Sequence, residues 1–387
     1  MLYGRSVTAV RRFGAPFALV VVLVALGLDL WNPSEPIGID FHTYEAAARV
    51  GLQEGWSQIY AQTLVAFQQM NLVPGQTVQP FLSPPPVAWL AALLAPLPYW
   101  PSYYVWALFT FAALALALVW AANDRGLVRW VAAGAALTPW WVMHAVHLGQ
   151  VVPLVAAGVV LAWRLARERR DLGAGIALAL VLLKPNTALL VPFALLAAGR
   201  FRVFATWVAA GLIVAAIALV TLGSLGVSAY VSQLTAPLPA GANSLTLGGA
   251  LGVTGAAALA LRILIVAASL AAAFRLRHSP GLAIAAGAVG SLLVAPYLHG
   301  SDLCLLGVAA WMVWEERPAL AWRLPIAAGW VIASPFVASS SLSLGLNRWP
   351  LVELLLLAAL VVEAWRPGRA AVPALTGNAD LRSRAPA

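Results

Sequence analysis

The chain has 387 residues, of which 62% are hydrophobic and only 10% charged, and its formal net charge is +9. Soluble globular domains carry about 25% charged residues, so a water-soluble enzyme is excluded. The basic residues fall in short clusters between apolar runs, which argues against a nucleic-acid surface. The single cysteine, Cys304, lies within an apolar run, leaving no disulfide framework and no thiolate metal site.

The first predicted element is a retained membrane helix over 14–31. Its start is basic like a signal peptide's, but the apolar stretch is long and lacks a small-residue cleavage site. A polar segment, 32–85, follows and holds "GIDFHTYEAAARVGLQEGWSQIY" (38–60), whose pattern suits short juxtamembrane helices. Asp40 stands where that pattern begins. As an N-cap it would satisfy free amides of the first turn; as a carboxylate fixed beside the membrane it could take a proton from a hydroxyl. The two readings are compatible. Phe41 and Tyr44, three apart, share one helix face. Residues 84–102 are apolar but short between prolines, which favours a re-entrant or interfacial helix over a crossing.

Further spans are expected at 101–122, 128–146, 150–165, 173–183, 186–199, 203–223, 245–273, 280–297, 302–315, 322–339 and 349–366. The reading is an all-α polytopic membrane protein with about twelve crossings and both termini inside. All basic residues except Arg49, Lys184, Arg262 and Arg348 then face the cytoplasm, as the positive-inside rule requires. The polar, non-basic connections gather outside, including 144–150, 182–186, 223–246, 296–302 and 339–348. No glycine-rich nucleotide loop is present. One integral-membrane domain covers 1–366, and an Ala/Pro/Arg-rich cytoplasmic tail, 367–387, is expected to be disordered.

Lys184, the only lysine, lies between two half-length apolar runs and hence below the outer surface. An ammonium there costs about 2.5–3.5 kcal/mol on insertion scales unless it meets an anion or water. Either it snorkels to the head groups, or it holds a lipid phosphate. Tyr297, His299 and Asp302 share an outer helix-breaking turn; His144 and His147 are three apart but lack a third metal ligand. Gln150 and Asn243 could hydrogen-bond a sugar or merely finish helices. Arg262 and Glu353 are intramembrane charges that could pair.

Taken together, Asp40-Phe41-x-x-Tyr44-x-Ala46-Ala47, Tyr60, Phe81-x-x-Pro84-Pro85, "LGQ" (148–150), Lys184-Pro185, "NSL" (243–245) and "PYLHGSDL" (296–303) resemble glycosyltransferase family 87, formerly domain of unknown function 2029. The order is the family's over roughly 15–365. Ser83 replaces a tyrosine common before the paired prolines, Asn186-Thr187 follow Lys-Pro where a second proline is frequent, and no glutamine separates Asn243 from Ser244. The family belongs to the C-type membrane glycosyltransferases and is similar to the mycobacterial mannosyltransferase that elongates phosphatidylinositol mannosides. The resemblance implies an inverting hexosyltransferase, with mannose the first choice, using a polyprenyl-phosphate sugar as donor and a lipid or glycan as acceptor; nothing in the sequence requires a metal or a cofactor. Asp40 would be the base. Lys184 and His299, with Arg348 as a further cation, would hold the donor phosphate, and Tyr44, Gln150, Asn243, Tyr297 and Asp302 would contact substrate. A strong excess of arginine and alanine points to a bacterium and its plasma membrane, with the site facing outward. A transporter or lipid flippase lined by Lys184, Arg262 and Glu353 is the rival reading, although only one candidate broken helix pair is visible. An envelope scaffold is a third, disfavoured by the carboxylates of 32–85.

Overall fold

The computed structural model describes residues 36–123, 125–236, 245–317, 319–341 and 343–366. The expected first span, the tail 367–387 and Asn243 lie outside the described residues. Every regular element among the described residues is helical.

Gly38, with φ 73°, turns the chain into α1 (Ile39–Gln53), and Gly55, with φ 98°, turns it out again. α2 (Gln62–Leu72) folds back on α1. α3 (Pro85–Ala92) starts at the paired prolines and has eight residues, which is ~12 Å against a hydrocarbon core of ~30 Å. The stretch 84–102 therefore contains no full crossing. α4 (Tyr99–Ala121) follows, then α5 (Leu127–Leu137) and α6 (Trp140–Leu148), which meet at Thr138-Pro139 and so divide the expected span 128–146. α7 (Val152–Arg167) begins on Pro153 and places Arg164 and Arg167 in its last turn, where the helix dipole favours cations.

The expected spans 173–183 and 186–199 form one broken passage. It runs through α8 (Asp171–Leu178), a 3-10 stretch (Ala179–Leu183), α9 (Pro185–Ala188) and α10 (Leu190–Ala197). Lys184 stands at the break with φ −151° and ψ 77°, as a residue preceding proline is biased to do. The remaining helices are α11 (Phe201–Thr235), α12 (Leu247–Ala250), α13 (Gly255–Arg275), α14 (Pro280–Val294), α15 (Cys304–Glu316), α16 (Leu320–Ile332), α17 (Pro335–Ala338) and α18 (Trp349–Ala364).

Three expectations need correction. The polar stretch 223–246 is not all loop, because α11 passes a non-helical residue at Gly223 (φ 58°, ψ −172°) and continues to Thr235. Span 245–273 is divided, with the long helix starting only at Gly255. Asp40 is not the N-cap of α1: Gly38 occupies that place, and Asp40 falls in the first turn with its side chain free for other partners. Glycine took the cap because the backbone there needs a left-handed residue packed against Tyr99 and Tyr103.

α7, α14 and α15 pack together, and nearly all of α14 is buried. Small residues let the broken passage approach them closely: a methyl at Gly158 of α7 would lie 2.6 Å from the Ala177 carbonyl of α8, and one at Gly287 of α14 would lie 2.9 Å from the Leu190 carbonyl of α10. α4, α11 and α13 are each long and apolar enough to cross a membrane. Their outward faces carry exposed Leu108, Val220, Ile263 and Leu264, which water would not tolerate in such number but lipid does. This is a membrane protein built from those long helices and from shorter apolar ones joined at breaks.

Candidate functional site

The polar residues that the sequence scatters meet where the central helices begin. Gln150 enters α7, Lys184 stands at the broken passage, and Asp302 enters α15 from a 3-10 turn (Gly300–Leu303). α1 is laid against this end by a set of backbone contacts. The Gly38 amide donates to the His147 carbonyl at 2.8 Å, and Tyr99 donates its hydroxyl to the Gly38 carbonyl at 2.8 Å. Tyr103 donates to the Val146 and His147 carbonyls, and the Trp106 indole donates to the Gly149 carbonyl at 2.8 Å. Phe41 and Tyr44 both pack on Trp106, with ring centroids 5.3 and 6.1 Å away. Gly149 permits the contact: at φ 71°, a methyl there would sit 2.5 Å from Phe41 Cβ.

This docking brings Asp40 to Gln150. The amide Nε2 donates to Asp40 Oδ2 at 2.6 Å, while its Oε1 accepts from Tyr44 at 3.1 Å and from the Lys184 ammonium at 3.3 Å. Lys184 Nζ also lies 2.6 Å from Asp302 Oδ1, and the Asp302 side chain is fully buried. Asp302 Oδ2 accepts from the His299 amide at 2.8 Å, and the Asp302 amide donates back to the His299 side chain, which completes a capping box. One glutamine amide thus stands between a carboxylate and an ammonium, and a second carboxylate balances the ammonium. Lys184 is drawn inward rather than snorkelling, because the buried Asp302 offers an anion inside the protein.

Asp40 is only partly covered. Burial among the surrounding side chains pushes its carboxyl up from the usual range, opposed by the charges of Lys184 and His299 and by the Gln150 hydrogen bond, with Asp302 adding to the rise. A carboxylate in this state accepts a proton more readily than a free one.

Of the residues singled out from the sequence, Asp40, Tyr44, Gln150, Lys184 and Asp302 are in direct contact. His299 is exposed beside them, and the Tyr297 ring meets its imidazole at 6.1 Å. Asn186 donates to the Tyr297 carbonyl at 3.5 Å. Arg348 stands exposed in a short turn (Leu346–Arg348) ahead of α18 and makes no ion pair with the cluster among the described residues. Arg262 and Glu353 do not pair: Glu353 is buried, and neither of its oxygens has a partner among the described residues. His144 packs on Trp140, and among the described residues no three metal-ligating side chains come together. The large apolar cavity of about 510 Å³ between α15, α16 and α18 is elsewhere. Trp322, Trp330 and Leu355 line it, and it holds none of the five contacting residues.

The sequence reading missed the scaffold of Tyr99, Tyr103 and Trp106, which look like any membrane-interface aromatics. It also missed that Tyr230, on the helix that continues past Gly223, stacks on Tyr60 with ring centroids 4.7 Å apart.

No curated protein and no solved structure matches the chain. The sequence model of glycosyltransferase family 87 matches residues 81–296, more than half of the chain, and that match takes in Gln150 and Lys184. The protein belongs to glycosyltransferase family 87 and is a membrane glycosyltransferase, taking a sugar donor and an acceptor.

Proposed function

We propose that the protein is an inverting hexosyltransferase that moves mannose from a polyprenyl-phosphate donor to a lipid or glycan acceptor on the outer face of a bacterial plasma membrane. In this reading about twelve crossings, several of them broken, put 32–85 and the Asp40 cluster outside. The observation that carries the reading is the Gln150 amide, which holds Asp40 on one side and Lys184 on the other.

The chemistry needs those two charges at a fixed separation. The acceptor hydroxyl attacks the anomeric carbon while its proton passes to Asp40. The bond from that carbon to the phosphate oxygen breaks, and the lipid phosphate leaves with the electron pair. Attack opposite the leaving group inverts the anomeric centre. Lys184 has three N–H donors. Asp302 and Gln150 engage two, which leaves one for the phosphate charge that grows in the transition state. His299 and Arg348 are exposed and stand as further hydrogen-bond donors to the same anion. Tyr44 steadies Gln150, Asp302, expected from the sequence to touch substrate, is fully buried and instead holds Lys184, and Tyr297 and Asn243 stand for contacts to substrate.

The test is reconstitution in lipid with labelled polyprenyl-phosphate mannose, glucose and galactose, together with extracted lipids as acceptors. The expected product carries mannose with an anomeric configuration opposite to the donor's. Transfer with retention would remove the single-displacement scheme, and failure of all three donors would remove the polyprenyl-phosphate reading.

A further inference from the structure

Three aromatic rings form a column beside the cluster. Phe81 stacks on Tyr60 with centroids 5.3 Å apart and planes at 26°, and Tyr60 stacks on Tyr230 at 4.7 Å and 27°. The column is anchored from below. Tyr44 meets Phe81 edge-on at 6.5 Å, and the Tyr60 hydroxyl donates to the Ser83 carbonyl at 2.8 Å. Phe81 and Tyr60 are buried, whereas Tyr230, at the end, is half-buried. No further described aromatic ring covers its second face. Tyr230 comes from the part of α11 beyond Gly223, and this arm packs on the 3-10 turn Trp56–Gln58 so tightly that a methyl at Gly226 would lie 2.9 Å from the Ser57 carbonyl. The Tyr230 phenol is within electrostatic reach of Tyr297, which is itself within reach of Lys184 and Asp302.

We infer that the face of Tyr230 turned away from Tyr60 binds the apolar face of a pyranose ring, on the column that Tyr44 joins to the Asp40–Gln150–Lys184 cluster. The inference rests on the transferase reading for the sugar's purpose, but the stack itself does not. An aromatic ring held rigid by two others presents a flat apolar surface at little entropic cost, and the C–H face of a sugar is its complement. The ring can belong to the acceptor or to the donor sugar; the chemistry recognised is the same.

The experiment is saturation-transfer NMR on the full-length protein in lipid nanodiscs, with methyl glycosides of manno, gluco and galacto configuration as probes. Ring protons of at least one probe should saturate with the unaltered protein and with Tyr230→Phe. Binding should weaken at least about tenfold, one decade in Kd, with Tyr230→Ala and with Tyr230→Leu, which keeps apolar bulk against Tyr60. Unchanged binding in Tyr230→Leu, equal loss in Tyr230→Phe, or no saturation of any probe would each overturn the inference. In a transfer assay, a raised KM for acceptor alone assigns the face to the acceptor sugar, and a raised KM for donor alone assigns it to the donor. Binding without transfer from any polyprenyl-phosphate sugar by the unaltered protein would remove the donor reading and leave this site standing.

Discussion

The two ends of α15 hold their carboxylates in opposite states. Glu316, at its last residue, accepts from the Trp163 indole at 3.0 Å, the Gly281 amide at 3.3 Å and the Ser279 hydroxyl at 2.7 Å. About 20 Å away at the other end, Asp302 is buried against one ammonium, and Asp40 shares one amide donor while staying partly open. α7 spans the same two ends, with Gln150 before its start and Trp163 near its finish. The closed end knits three helices through one carboxylate held by three donors. The open end keeps a carboxylate and an ammonium incompletely satisfied, at a cost in stability that a purely structural network would avoid. A site that must receive a proton and an anion has to leave room for them.

This contrast can be broken most severely at Asp40. Asp40→Asn keeps the shape and removes the base, so transfer should fall by about 10²- to 10⁴-fold with an unchanged melting temperature; substantial residual turnover would mean that another group takes the proton. Lys184→Met should cost about 10²- to 10³-fold in turnover through the lost charge at the leaving group. It should also destabilise the protein by about 3–5 kcal/mol, because Asp302 is left buried and unpaired. Adding Asp302→Asn should recover most of the stability and none of the turnover. Recovery of both would make the pair structural, like the closed end.

Gly149→Ala tests the docking of α1. The methyl would collide with Phe41 in a backbone conformation that alanine resists, costing roughly 1–3 kcal/mol and separating Asp40 from Gln150; thermal unfolding and transfer should fall together. The pH profile is a finer probe. Asp40 must be ionised to act, and its carboxyl is pushed up, so kcat/KM should fall as pH drops through a value above the ordinary carboxylate range. Gln150→Leu removes a hydrogen bond that favours the ionised form, so that limb should move to higher pH; an unmoved limb would detach it from Asp40. The smallest effect is expected at the closed end. Glu316→Gln weakens acceptors there by about 1–2 kcal/mol and should leave turnover and its pH profile as they were.

The amino-acid sequence by itself determined the solvent and the fold class. Runs of Ala, Leu and Val with so few charges can only be helices in lipid, since an apolar medium forces the backbone to satisfy itself. It also marked out Asp40 and Lys184, because an isolated charge in such a background is expensive wherever it is not used. It did not reveal that α11 continues past Gly223, since helix continuation there depends on packing against Trp56–Gln58 rather than on local pattern. Nor did it reveal Gly38 as the cap of α1, which frees Asp40 for Gln150. Tertiary structure alone decided that residues 40, 150, 184 and 302 meet. Contacts separated by a hundred residues are set by which helices pack and how closely their glycines let them approach, and a linear pattern with periods of three or four residues carries no such information.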